Sequence, residues 1–73
     1  MSKEIWYVRC SKDHEGYYSY DFYGTREDAK RGYGTPVRYS MYGREWNQYG
    51  GRDLTEGDVV AIKPLKAQYI EES

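Results

Sequence analysis

One histidine stands where it could act as a general base. His14 lies between Asp13 and Glu15 in the polar segment "SKDHEG". A catalytic base needs a nucleophile or a substrate proton within hydrogen-bond reach, and the sequence indicates neither. We therefore interpret His14 as a solvated loop histidine and expect that the protein is not an enzyme.

The second reactive side chain is Cys10, the single cysteine of the chain. A lone thiol forms no internal disulfide, and one cysteine with one histidine gives no zinc-ligand spacing. Reactive thiolates lie in accessible, electropositive settings, whereas Cys10 ends an apolar segment typical of a strand. We expect a small buried hydrophobe here, and neither a metal nor a cofactor in the protein.

Binding chemistry is better represented, because the chain has ten tyrosines, two tryptophans and eleven Lys/Arg. The segment "GYYSYDFYG" (residues 16–24) has aromatic rings at five of its seven interior positions. Exposed rings and cations stack on the bases and follow the backbone of single-stranded nucleic acid. The same residue types dominate protein–protein hot spots. The formal net charge of −1 favours a protein partner, since nucleic-acid-binding domains are usually basic.

A nucleic-acid motif is half matched at residues 31–39, "RGYGTPVRY". Its beginning and its end follow the strand pattern of RNA-recognition motifs. Thr35 and Pro36 stand where that pattern has one base-stacking ring, and the additional residue reverses the face of the residues that follow. We interpret this segment as a helix stop followed by a strand.

The strands that must position these side chains are indicated by alternating apolar residues between turn signals. We predict strands in residues 4–10, 17–23 and 35–43, and a turn followed by a strand in residues 54–65. A polar segment ending in Gly16 separates the first two strands, so they form an antiparallel hairpin.

The remaining elements are one helix, one loop and a tail. Thr25 is a helix N-cap and Gly32 a helix stop, which predicts a helix of about two turns between them. Residues 44–53 are predicted as a long loop and residues 66–73 as a fraying tail. The fold class is therefore α+β, with a small antiparallel sheet of three to four strands, one short helix and a long loop. Residues 1–73 form a single domain.

Strand periodicity divides the sheet residues between two faces, and the charged side chains of Arg9 and Asp21 indicate which face is more exposed to solvent. The predicted core consists of Trp6, Val8, Tyr18, Tyr20, Phe22, Val37, Tyr39, Met41, Val60 and Ile62. The opposite face holds Tyr7, Arg9, Tyr17, Tyr23, Arg38 and Tyr42. The helix must cover one face, and the sequence leaves open which one.

The sequence begins "MSKEIWYVRC", without the apolar stretch of a signal peptide. No apolar run approaches the roughly 20 residues that span a bilayer. We expect a cytoplasmic protein that acts as a monomer and does not bind membranes.

The chain resembles the small RNA-polymerase-binding transcription regulators encoded by phages that infect Xanthomonas. The likeness lies in its length, its start "MSKEIWYVRC" and its mixed sheet-and-helix pattern. The resemblance implies that the partner is host RNA polymerase, bound at the N-terminal region of the largest subunit near the flap and the RNA exit. It implies inhibition of transcription initiation through weakened sigma contacts, and promotion of antitermination.

The residues that we expect to contact the partner come from the face assignment. The first group, on the first strand, offers a ring, a cation and, if that strand is an edge, strand pairing. The second group offers cations and rings around the end of the third strand. The predicted protein-binding residues are Ile5, Tyr7, Arg9, Arg38, Tyr42, Arg44 and Trp46. The alternative is a single-stranded nucleic-acid-binding module that uses the Arg/Tyr sheet face.

Overall fold

A computed structural model describes residues 4–34 and 36–70. These residues form five strands and two helices, which confirms the α+β class and adds one strand and one helix to the prediction. In chain order the elements are β1 (Trp6–Lys12), β2 (Tyr18–Tyr23), α1 (Arg26–Arg31), β3 (Pro36–Tyr42), α2 (Gly43–Gln48), β4 (Val59–Lys63) and β5 (Gln68–Tyr69).

The five strands form one antiparallel sheet in the order β3-β2-β1-β4-β5. β1 pairs with β2 on one side, where Cys10 lies opposite Tyr20, and with β4 on the other, where Val8 lies opposite Val60. β1 is therefore not an edge strand, so the condition on which strand pairing with a partner was predicted for it is not met. The hairpin signal predicted the first pairing, but the second joins residues far apart in sequence and leaves no local signal.

Helix α1 follows its sequence signals. The Thr25 hydroxyl accepts a hydrogen bond from the Asp28 backbone N–H at 3.2 Å, as an N-cap should. Gly32 ends the helix in the left-handed conformation, with φ of 78°, and donates its N–H to the Asp28 carbonyl. The helix buries Ala29 against the sheet face of Tyr7, Arg9 and Tyr23.

Helix α2 includes residues 44–48 of the predicted loop 44–53, so the prediction is wrong for these residues, whereas residues 49–53 have neither helix nor strand. The helix has no side-chain N-cap bond, and only Trp46 within it is apolar and buried. A helix this short is not stable alone. Packing of Trp46 into the sheet, which local sequence does not reveal, accounts for it.

The main core lies between the sheet and α2. Its fully or almost fully buried members are Val8, Cys10, Tyr20, Phe22, Met41, Trp46, Ile62 and Ala67. Trp6, Val37 and Val60 are partly buried and pack against it. Eight of the ten predicted core residues thus contribute, and Cys10 is buried as expected. The prediction is wrong for Tyr18 and Tyr39, which are exposed, and Tyr23 of the supposed wet face is buried under α1.

A register shift explains the misassignment in β3. Met41 lies opposite Tyr20, but Arg38 rather than Tyr39 lies opposite Phe22. The extra residue reverses the alternation of side chains beyond it. As a result Arg38 points toward the core rings and Tyr39 is 78% exposed.

Strand β5 lies within the residues predicted as a fraying tail, so that prediction is wrong for Gln68 and Tyr69. Residues 71–73 of the predicted tail lie outside the described residues. Lys66 and Ala67 take φ values of 58° and 47°, which are uncommon for residues other than glycine. This turn directs the chain back along β4, where Ile62 pairs with Tyr69. Tertiary packing of Ala67 and Tyr69 against the core holds the turn in place.

Candidate functional site

The first predicted contact group is engaged within the protein. The Arg9 guanidinium donates hydrogen bonds to the carbonyls of Ala29 and Lys30, at 3.1 and 2.8 Å. These are carbonyls of the last turn of α1, where a cation also suits the helix dipole. Arg9 therefore holds α1 on the sheet.

The other two members of that group differ in exposure. The Tyr7 ring is partly buried, with the Arg26 guanidinium 5.1 Å from its centroid. Ile5 precedes β1 and is 38% exposed. Of the three residues, only Ile5 is exposed, and an isolated exposed aliphatic is ordinary on a protein surface.

Arg38 is also a structural residue. Its guanidinium carbon lies 5.4 Å from the Phe22 ring centroid and 5.9 Å from that of Tyr49, distances typical of cation–π contacts. It forms an ion pair with Glu45 of α2 at 3.6 Å. These contacts join β3 to α2 and turn the guanidinium toward the protein.

The expectation that Trp46 is an exposed anchor is wrong, because its side chain is fully buried. The ring stacks on Tyr20 with centroids 4.7 Å apart. Its indole N–H donates to the Arg52 carbonyl at 2.8 Å. Trp46 thus forms the centre of the core, which the polar residues around it in sequence concealed.

Tyr42 and Arg44 remain as predicted contact residues on an accessible surface. They line a groove of about 490 Å³ at the end of the sheet where β2 begins and β3 ends. We call it the tyrosine groove and define it by Tyr17, Tyr18, Tyr42, Arg44, Asn47 and Asp53.

The three tyrosines of the groove come from two places in the chain. Asp13 accepts hydrogen bonds from the backbone N–H groups of Glu15 and Tyr17, both at 2.9 Å, and this fixes the turn before β2. Ser19, next to Tyr18, lies opposite Tyr42 across the β2–β3 pair. Pairing of these strands brings the two segments side by side, and all three tyrosines line the groove, with Tyr17 63% exposed, Tyr18 39% and Tyr42 61%.

Helix α2 supplies the second wall. Arg44 and Asn47 lie three residues apart and so share one side of the helix. The prediction of residues 44–53 as a loop concealed this arrangement. The predicted contact residues did not include four residues of the groove, namely Tyr17, Tyr18, Asn47 and Asp53. The pairing of β2 with β3 was not predicted from the sequence. That pairing would have suggested Tyr17 and Tyr18.

The groove carries charges of both signs. Arg44 and Asp53 line it, and the Lys12 ammonium lies 5.8 Å from the Tyr18 ring centroid. Burial, contact with Cys10 and the negative charge of Asp53 raise the pKa of Tyr20, beneath the groove, to about 12. The groove therefore combines tyrosine side chains with two nearby cations, Arg44 and Lys12, and the carboxylate of Asp53.

The predicted contact residues do not form one surface. Tyr7 lies opposite Tyr23, which pairs with Pro36, at the end of the sheet away from the Ser19–Tyr42 pair. The first group is on the side covered by α1, whereas the tyrosine groove abuts α2. A second groove of about 410 Å³ includes Arg26, Arg52 and Tyr69, but none of the predicted contact residues.

Residues with catalytic or metal-binding side chains are dispersed. In residues 4–34 and 36–70, no three His, Cys, Asp or Glu side chains are grouped as metal ligands. The His14 side chain is 90% exposed, with its Nε2 3.7 Å from a Glu15 carboxylate oxygen. Burial raises the pKa of the Cys10 thiol, whose Sγ lies 3.7 Å from the Leu54 carbonyl oxygen.

Neither helix in the described part of the chain is long and apolar enough to cross a membrane. No protein-family model, no curated protein and no solved structure matches this chain.

Proposed function

We propose that the protein is a non-catalytic protein-binding module that contacts its partner through the tyrosine groove. The observation that carries this proposal is the convergence of Tyr17, Tyr18 and Tyr42 beside Arg44 on one accessible surface. Tyrosine and arginine are enriched at interface hot spots, because each brings a large contact area and polar groups that can be satisfied by the partner. The backbone that carries the three tyrosines is fixed by strand pairing and by the hydrogen bonds to Asp13, so little backbone order is lost when a partner binds.

We propose host RNA polymerase as the partner, in the bacterial cytoplasm, with the protein acting as a monomer. This identity comes from the resemblance to small phage regulators of transcription. Binding at the N-terminal region of the largest subunit, near the flap and RNA exit, would inhibit initiation and favour antitermination. Such a mechanism needs only contact surface, which the groove offers.

A role in binding single-stranded nucleic acid has less support. The Arg/Tyr sheet face proposed for it lies against α1, where Tyr23 is buried and Arg9 bonds to the helix carbonyls. The groove has tyrosines suited to stacking on bases, but the carboxylate of Asp53 lies beside its cations and the whole chain has a formal net charge of −1. Single-strand binders usually combine rings with an excess of cations.

The test is binding of the purified protein to bacterial RNA polymerase holding its sigma factor. Tyr42→Ala removes an exposed ring of the groove, and Tyr33→Ala removes an equally exposed ring, 66% accessible, that does not line it. We expect loss of binding and of transcription inhibition for Tyr42→Ala, and wild-type behaviour for Tyr33→Ala. Absence of binding by the wild-type protein would refute the polymerase assignment, and equal effects of the two substitutions would refute the groove.

A further inference from the structure

We propose that the tyrosine groove binds an extended, proline-rich peptide segment that carries one basic residue. This inference rests on the proposed protein-binding role and names the chemistry of the bound segment. It does not depend on which protein supplies that segment.

The groove offers several hydrogen-bond donors beside the carboxylate of Asp53, which only accepts. The hydroxyls of Tyr17, Tyr18 and Tyr42 can donate, and Asn47 and Arg44 add amide and guanidinium N–H groups. The polyproline II conformation has no internal hydrogen bonds, so its carbonyls are free to accept. Proline has no backbone N–H, so a proline-rich segment brings few donors of its own that would need partners.

The shape of the groove suits the same ligand. It is lined by tyrosines around the start of β2 and at the end of β3, together with Arg44 and Asn47 of α2. Proline rings pack on flat aromatic side chains, and aromatic-lined grooves are the usual receptors for this conformation. A proline-rich segment is already extended before it binds, so its ordering cost is small.

Asp53 sets the charge preference. It is the carboxylate among the groove residues named above, and it is close enough to raise the pKa of the underlying Tyr20. A carboxylate in a donor-rich groove is complementary to a Lys or Arg side chain of the ligand. Arg44 is assigned to the ligand's backbone carbonyls.

Two other ligands fit less well. An added β-strand would pair along the outer edge of β3, whereas the groove lies at the end of that strand, beside Arg44 and Asn47 of α2. Single-stranded nucleic acid would place phosphates near Asp53, and its backbone offers no match for a carboxylate.

The test is an NMR titration of ¹⁵N-labelled protein with a short synthetic proline peptide that ends in one arginine. Three probes serve as comparisons: the same peptide ending in glutamate, a glycine–serine peptide ending in arginine, and an oligothymidine. We expect shifts of the Tyr17, Tyr18, Tyr42 and Asn47 amides with the first peptide. The glutamate and glycine–serine peptides should bind more weakly.

Substitutions define the site. Tyr42→Ala should weaken binding of the arginine-ended peptide by about tenfold or more, as expected for a hot-spot ring. Asp53→Asn changes an exposed side chain and should abolish the preference for the arginine-ended over the glutamate-ended peptide. Tyr33→Ala should bind the peptide as the wild type does.

The proposal is overturned if millimolar proline peptide shifts no groove amide, or if the glycine–serine peptide binds equally well. It is also overturned if oligothymidine shifts these amides and the proline peptide does not. Polymerase binding that depends on Tyr42 without any peptide binding would refute this inference and leave the protein-binding role standing. Peptide binding without polymerase binding would support this inference and refute the polymerase assignment.

Discussion

The Gly51→Ala substitution provides a direct test of how the core is packed. A Cβ atom at Gly51 would lie 2.0 Å from Cε2 of Trp46 and 2.2 Å from its Cδ2. Non-bonded carbon atoms normally approach to about 3.5–4.0 Å, so the ring or the backbone must move by about 1.5 Å to make room. Gly51 is required here for close approach to the ring.

The ring has little space in which to move. Trp46 is fully buried, and its centroid lies 4.7 Å from that of Tyr20 and 5.9 Å from that of Phe22. Overpacking of this kind costs about 1–3 kcal/mol. Displacement also weakens the bond from the indole N–H to the Arg52 carbonyl, which contributes about 1 kcal/mol. We expect a loss of about 3 kcal/mol in the free energy of unfolding.

For a domain of this size, each kcal/mol corresponds to about 4–8 °C in Tm, so Gly51→Ala should lower Tm by about 12–24 °C. The matched control is Gly43→Ala, since a Cβ there meets nothing within 4 Å and the residue begins α2. Alanine should leave Tm unchanged or raise it by a few degrees. Thermal unfolding followed by circular dichroism measures both. A Gly51→Ala protein within about 4 °C of the wild type, the shift for only 1 kcal/mol, would refute this account of the packing.

Three further predictions concern single side chains. Arg9→Ala should cost about 1–2 kcal/mol and reduce hydrogen-exchange protection in α1, whereas Arg31→Ala should cost under about 0.5 kcal/mol because its ion pair is exposed. Hydrogen bonds from the Thr55 backbone N–H and hydroxyl lower the pKa of Asp58. The stability that ionised Asp58 adds to the folded protein is fully present above the carboxyl pKa of the unfolded state. It is lost as the pH falls through the lower pKa of the folded state. Urea titrations should therefore show a smaller loss of stability in acid for Asp58→Asn than for the wild type. Iodoacetamide should modify native Cys10 only as fast as the protein opens, because the thiol is buried and its pKa is raised; modification at the rate of a free thiol would contradict this.

Local signals predicted the elements whose causes are local. Thr25 and Gly32 mark the ends of α1 because capping depends on neighbouring residues in the chain. The alternation in β1 and β2 placed Val8 and Phe22 in the core correctly. Short segments with these signals form the same element in many tertiary settings.

The sequence predictions are wrong where tertiary contacts determine the secondary structure or the strand register. Helix α2 forms around Trp46, whose burial depends on rings contributed by β2 and β5. The register shift that exposes Tyr39 depends on how β3 meets β2. Neither effect leaves a pattern within a few residues.

The candidate site was affected by the same errors. Tyr42 and Arg44 were predicted from composition and periodicity, and both line the groove. The alternation of side chains along β2 predicted Tyr18 to lie in the core. Tyr18 is exposed instead, at the beginning of β2, and alternation alone does not reveal how far α2 covers that strand. Trp46 was assigned to a contact surface because polar neighbours suggested a loop.

The central position of β1 constrains the order in which the strands of the sheet can assemble. β1 and β2 meet after closure of a short turn, whereas β1 and β4 come from opposite ends of the described chain. Pairings between distant parts of the chain slow folding, because the entropy cost of closing the loop is incurred before the contacts that offset it can form. During synthesis, the β1–β2–β3 meander emerges first, with one edge of β1 unpaired and the core lacking Ile62. Folding is therefore expected to be completed only when β4 and β5 have left the ribosome. Until then the nascent chain is most exposed to proteases and to pairing with other strands.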